Sequence, residues 1–118
     1  MISAINSSLS ALHAFTKKTE SIADNTANVN TDGFKKTRVT LHEGEHNSVV
    51  PQVSRINTPG PLVYEQTADG ESLVEKSNVD ISEELPEMMI TRRFYQANIK
   101  MVQFEDEMLG SLLDIKKA

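Results

Sequence analysis

From Ile81, alternating steps of four and three residues reach Leu85, Met88, Arg92, Tyr95, Ile99, Val102, Asp106, Leu109, Leu113 and Lys116. Apolar side chains dominate this series, as a heptad seam requires. A second series runs beside it through Ile90, Phe94, Ala97, Met101, Phe104, Met108 and Ile115, while Gln96, Lys100, Gln103, Glu107, Gly110 and Asp114 form a polar face. The pattern predicts one long C-terminal helix with two adjacent apolar seams. A broad apolar stripe is ordinary for a helix in the core of a small bundle. This chain, however, has only one other segment with long-helix spacing. The second seam therefore points to partners outside the chain's own fold.

That other segment runs from Ser3 to about Thr26, with Ile2, Ile5, Leu9, Leu12, Phe15, Thr19 and Ile22 at helical spacing and Ser3 as the expected N-cap. It dissolves into Asp24-Asn25-Thr26-Ala27-Asn28-Val29-Asn30-Thr31-Asp32-Gly33, residue types that end helices and build turns. Alternation over Lys36–Leu41, Val49–Val53 and Leu62–Tyr64 predicts three short strands. Pro51 marks its strand as an edge, and Thr58-Pro59-Gly60-Pro61 reads as a turn. Residues 65–77 are polar and weakly patterned, which predicts a loop. Ser82-Glu83-Glu84 supplies a cap and acidic first turn, and Lys116 and Lys117 suit the opposite end of the dipole. Pro86 costs about 3 kcal/mol in a helix interior. Regular helix is therefore expected to begin between Ser82 and Glu84, leaving about 32 residues, a rod of ~48 Å.

Composition narrows the possibilities. The 118 residues include no Trp and are 5% aromatic, so large anchors for a compact interior are few. A net charge of −5, with 12 basic and 17 acidic residues, argues against non-specific binding to nucleic acid or anionic membranes. The absence of Cys removes thiol catalysis, thiolate metal sites and disulfides together, and suits passage through a secretion channel. Met1-Ile2-Ser3-Ala4 has neither a basic nor an apolar signal-peptide region, so export would need a dedicated exporter. No apolar run approaches the ~20 residues that span a bilayer.

One segment invites an enzymatic reading. His42-Glu43-Gly44-Glu45-His46 matches H-E-x-x-H, in which two His one helical turn apart hold zinc beside a general-base Glu. Here Gly44 is central, a strand pattern precedes and a β-branched pair follows, and His13 has no acidic neighbour that would make it a third ligand. A polar loop between two strands is the simpler reading. There is no G-x-S-x-G elbow and no Gly-rich phosphate loop. Glu83, Glu84 and Glu87 are explained by dipole complementarity. No enzyme, cofactor or metal site is expected.

Two further segments carry a resemblance. Ala27-Asn28-Val29-Asn30-Thr31-Asp32-Gly33-Phe34-Lys35 resembles the A-N-x-N-T-x-G-[FY]-[KR] motif of bacterial flagellar basal-body rod and hook proteins. Ser77-Asn78-Val79-Asp80, followed by Arg93-x-Tyr95-Gln96-Ala97-Asn98-x-Lys100, is similar to their C-terminal motif. The likeness covers residues 1–38 and 77–118. Between them only Leu62-Val63-Tyr64 and Ala68-Asp69-Gly70 resemble short rod subunits. It implies a self-assembling structural subunit of the flagellar rod, exported by the flagellar type III apparatus and partnered by itself and other axial subunits. Its termini would be disordered before assembly. The short middle favours a proximal rod protein of the FlgC type. The Gly33-Phe34-Lys35-Lys36 junction is closer to distal rod and hook proteins, and Pro86 interrupts a stretch usually continuous in the family. A generic coiled-coil adaptor and a zinc hydrolase are the remoter alternatives.

The expected fold is thus mainly α with a small β region. Long terminal helices pair as a coiled coil over residues 1–30 and 81–118, and a short hairpin-like segment fills 31–80, together forming one domain. Expected subunit-interface residues are Ile5, Leu9 and Leu12 on the first helix. On the second they are Leu85, Met88, Phe94, Tyr95, Ala97, Asn98, Ile99, Met101, Val102, Phe104, Met108, Leu109 and Leu113. The turn from helix to β region is assigned to Ala27, Asn28, Asn30, Thr31, Gly33 and Phe34.

Overall fold

The computed structural model describes residues 2–117 as two long antiparallel helices with two β-hairpins inserted between them. Helix α1 spans Ile2–Ala27 and α2 spans Ile81–Lys117. Strands β1 (Thr37–Glu43) and β2 (Val49–Arg55) form the first antiparallel hairpin, from Thr37 opposite Arg55 to Glu43 opposite Val49. Strands β3 (Leu62–Thr67) and β4 (Gly70–Glu75) form the second, closed by the Ala68-Asp69 turn. The molecule is a rod, 83 × 23 × 20 Å. Among the described residues no helix is long and apolar enough to cross a membrane.

Several expected boundaries move. Helix α1 already includes Ser3, so Ser3 is not its N-cap. The three strands run longer than the alternation suggested, and residues 65–77 are mostly strand rather than loop. Pairing explains the last difference. Glu65, Gln66 and Glu71 are too polar to read as a buried strand, but on a hairpin with both faces open to water they need only the ladder. Helix α2 is capped by Asp80, not by Ser82. The Asp80 carboxylate accepts the Ser82 N–H at 2.8 Å and its hydroxyl at 2.6 Å, and the Asp80 carbonyl accepts the Glu83 and Glu84 N–H groups. Pro86 therefore lies in the second turn, and the helix continues through it. It forfeits only its own N–H bond to the turn before.

The two helices meet along a narrow, partly polar seam. On α1 the buried positions are Ser8, Ala11, Ala14, Ile22 and Asn25, with Ile5, Leu12, Phe15 and Thr19 half-buried. Small side chains at 8, 11 and 14 let the helices approach closely. The inward positions of α2 are Glu84, Met88, Thr91, Tyr95, Asn98, Val102, Glu105 and Leu109, all buried or half-buried. This is a heptad series whose alternate members are polar. It shares Met88, Tyr95, Val102 and Leu109 with the first sequence seam. That seam's other members, Leu85, Arg92, Ile99, Asp106 and Leu113, are exposed. The first hairpin lies along another side of α1. The Ser10 hydroxyl accepts the Val49 N–H at 3.0 Å, and the Ser21 hydroxyl donates to the Thr37 carbonyl at 3.2 Å.

Candidate assembly interface

The Asn-rich segment after α1 forms a tight exit. The Asn28 carboxamide donates to the Asp24 carbonyl at 2.9 Å and accepts the Thr31 hydroxyl at 3.1 Å. The Thr31 N–H bonds the Asn28 carbonyl, and the Phe34 N–H bonds that of Thr31. Gly33 has φ +68°, a left-handed angle that costs glycine little, and its N–H donates to the Glu75 carbonyl at 2.8 Å. Ala27 ends the helix and, like Asn30, is exposed, while Phe34 is half-buried.

A collar of polar contacts then ties both hairpins to the helix pair. The Asn78 carboxamide accepts the Lys36 N–H at 2.7 Å and donates to the carbonyls of Ile56 at 2.8 Å and Thr58 at 2.9 Å. Lys35 pairs with Glu75, Lys36 with Glu83 at 2.6 Å, and Lys76 with Asp32 at 2.7 Å and with Glu65. The lysine beside Glu75, then the Gly60 N–H, hold the Glu75 carboxyl below its usual pKa. Asp32 and then Glu65 raise Lys76 above its own. Gly60 allows the closest approach of the collar, since a Cβ there would lie 2.0 Å from the Lys76 carbonyl oxygen. Sequence reading placed Gly60 in a turn without a partner and missed Glu75 and Lys76, whose partners lie far apart in the chain.

Beyond the collar, one complete apolar seam remains uncovered. Ile90, Phe94, Ala97, Met101, Phe104, Met108 and Ile115 are all exposed, Phe104 by 57% and Ile115 by 72%. This is the second series of the sequence reading, and it lies on a different side of α2 from the positions that face α1. Phe94 sits at its border, stacked on Phe15 with ring centroids 5.6 Å apart. That stack fixes the helix register. Ile2, thirteen residues before Phe15, falls level with Glu107, so α2 runs ten residues past the start of α1, ~15 Å at 1.5 Å per residue. Leu112, Leu113 and Ile115 are accordingly exposed.

The other expected interface residues divide by position. Leu9, Leu85 and Ile99 are exposed, while Ile5, Leu12, Met88, Asn98, Val102 and Leu109 are turned toward the helix pair. Tyr95 lines an apolar groove of about 490 Å³ with Thr16, Thr19, Ala23, Met88 and Arg92. The Asn98 side chain donates to the Phe94 carbonyl at 2.9 Å, a bond within α2. The H-E-x-x-H segment forms no α-helix, only a single 3-10 turn over Glu45–Asn47. His42 is in β1 and bonds Thr40, and His46 is in the connecting turn at φ +58°. The two imidazoles are therefore not one helical turn apart. Among the described residues no group of three or more His, Asp or Glu could hold a metal ion.

Comparison with known proteins joins the two ends of this architecture. Residues 5–35, on α1 and its exit, match the family described as flagella basal body rod protein. Residues 71–115, on β4 and α2, match flagellar basal body rod FlgEFG protein C-terminal. The chain is similar to the flagellar basal-body rod protein FlgG of Bacillus subtilis, at 33% identity over 75% of this chain and 32% of the relative. It is similar to the flagellar hook protein FlgE of Treponema pallidum, at 30% identity over 75% of this chain and 18% of the relative. FlgG of Buchnera aphidicola is 34% identical over 71% of this chain and 30% of its own length. The chain thus spans about a third or less of the length of these relatives. With both matched segments in order, one at each helix, it belongs to the family of flagellar rod and hook proteins.

Proposed function

We propose that this protein is a structural subunit of the flagellar basal-body rod, assembling with copies of itself and with other axial subunits through its two helices. The observation that carries this reading is the heptad-spaced apolar seam from Ile90 to Ile115, left open on a helix whose other side is already paired with α1. Apolar surface of that length, in a regular repeat, is the surface of a helix with a second partner. The helix pair and its two hairpins act as one unit, held by the collar around Asn78. The subunit carries no chemistry of its own. It leaves the cell interior through the flagellar export apparatus and works in the rod that crosses the periplasm.

Two observations bear on the subtype. The family segments stand close together, with only residues 36–70 between them, which favours a rod subunit of the proximal kind without a large projecting body. The Gly33-Phe34-Lys35 junction and the similarity to FlgG and FlgE favour the distal-rod and hook side of the family.

The test is genetic. In a bacterium whose own copy is deleted, the wild-type gene restores swimming and Met101→Asp does not, although the variant is made and exported. Electron microscopy of basal bodies in the deletion strain identifies the level at which the rod stops. Complete rods in that strain, or normal swimming with Met101→Asp, would overturn the assembly role.

A further inference from the structure

The apolar groove beside Tyr95 and the open seam lie on different flanks of α2. Arg92, on the groove's rim, stands ~200° around the helix from Phe94 of the seam. Two charged residues line the groove. Glu20 is paired with Lys17 at 2.8 Å, whereas Arg92 is exposed and takes part in no ion pair among the described residues.

The seam has a free margin on one side only. Arg93, Lys100, Glu107 and Asp114 recur along it, each directly before a seam residue, and all four are exposed. The opposite margin, Thr91, Asn98 and Glu105, is turned toward α1. When the seam of one copy enters the groove of a second copy pointing the same way, the free margin is therefore the side that passes Arg92.

The order of charges along that margin selects one stagger. Shifts by whole heptads keep the seam in the groove. With no shift Arg93 passes Arg92, and with one heptad Lys100 does, so both set like charges together. A shift of two heptads brings Glu107 to Arg92. Phe104 and Met108 then stand level with residues 90 and 94 of the second copy, within the stretch from Met88 to Tyr95 that lines the groove. Three heptads bring Asp114 to Arg92 but put Ser111 where Phe104 stood.

We propose that neighbouring copies in the shaft meet seam to groove with their α2 helices parallel and staggered by two heptads, ~21 Å at 1.5 Å per residue. Phe104 and Met108 of one copy fill the groove of the next, and Glu107 pairs with its Arg92. The two surfaces differ, so each copy keeps one of each free and the contact repeats as an open array rather than closing as a pair. This contact rests on the reading of the chain as a rod subunit and adds to it the register between copies.

Disulfide linking in isolated basal bodies tests it, in a chain with no cysteine of its own. At this stagger Lys100 of one copy stands level with residue 86 of the next, so copies carrying Leu85→Cys and Lys100→Cys should link on oxidation into a ladder on a non-reducing gel. Within one chain these two positions are ~22 Å apart and cannot join. Leu85→Cys with Arg93→Cys, which a one-heptad stagger would link, should give no ladder. Arg92→Glu and Glu107→Arg should each slow spreading in soft agar by about threefold or more, since a repelling pair replaces an attracting one at every contact. The double reversal should restore spreading. Complete rods in the deletion strain would sink the rod reading itself. Where rods depend on the protein, a ladder with Arg93→Cys in place of Lys100→Cys, no ladder from basal bodies that contain the variant, or no recovery by the double reversal would each overturn this contact. Should the cysteine variants fail to assemble, the charge reversals decide.

Discussion

The Asn25 carboxamide pairs with the backbone of Thr37 as a neighbouring strand would. Its oxygen accepts the Thr37 N–H at 2.9 Å, and its nitrogen donates to the Thr37 carbonyl at 2.8 Å and to Glu84 at 3.2 Å. One buried side chain thus joins the end of α1 to the start of β1 and to the first turn of α2. Asn25→Ala leaves the Thr37 backbone and Glu84 short of partners and should destabilise the fold by about 2–3 kcal/mol. Urea denaturation read by far-UV circular dichroism measures the change. A loss below about 0.5 kcal/mol would show that water replaces the carboxamide.

Gly60 and Gly110 make a matched pair of tests. A methyl group at Gly60 meets the Lys76 carbonyl, so Gly60→Ala should cost more than about 2 kcal/mol and loosen β3–β4 first. Amide exchange in β4 should speed up before exchange in α2. Gly110 sits in α2 with nothing within 4 Å of its would-be Cβ, so Gly110→Ala should stabilise the helix by about 0.5–1 kcal/mol.

Thr91 is 1% exposed, and its hydroxyl has no partner among the described residues. Thr91→Val keeps the branched shape and removes the unsatisfied hydroxyl. The variant should gain about 1 kcal/mol, seen as a higher urea midpoint at unchanged slope. A loss of stability would mean that the hydroxyl is satisfied in solution.

Stability should have an acid and an alkaline limb. The Ser82 hydroxyl and N–H hold the Asp80 carboxyl below its ordinary 3.8, and Lys35 holds Glu75 below its ordinary 4.5. Groups with lowered values contribute fully above the ordinary value and lose the contribution as pH falls through the lowered one. Lys76, raised above 10.5, contributes below that value and loses its contribution as pH rises through the raised one. The urea midpoint should therefore be flat between about pH 5 and 10 and fall on either side. Glu75→Gln should flatten part of the acid limb, and Lys76→Met the alkaline one.

Both helices, the Asn28–Gly33 exit and the open seam were legible from spacing and residue type. The seam that binds α1 was not. Glu84, Thr91, Asn98 and Glu105 recur every seven residues, but they are polar, and a search for apolar repeats passes to Leu85, Arg92, Ile99 and Asp106 one position further on. The inward face is set by what α1 presents, and Ser8, Ala11 and Ala14 offer closeness rather than apolar bulk. A heptad of polar residues was the available signal. Of the second hairpin only the start, Leu62–Tyr64, was predicted, for a related reason. With both faces wet, its strands need no alternation, and only the ladder from Leu62 to Glu75 defines them.

The collar around Asn78 also separates the second hairpin from the helices mechanically. Gly33 to Glu75, Lys36 to Asn78 and Gly60 to Glu75 close a neck between the helices and the hairpin of residues 62–75, whereas the first hairpin stays bonded to α1 through Ser7 and Ser10. The Ala68-Asp69 turn lies away from that neck, at the tip of its hairpin. Residues added there disturb none of its bonds, and closing a longer loop costs only ~0.6 kcal/mol for each doubling of its length. The helices are thereby freed to keep one geometry while the outer part of the chain grows or shrinks.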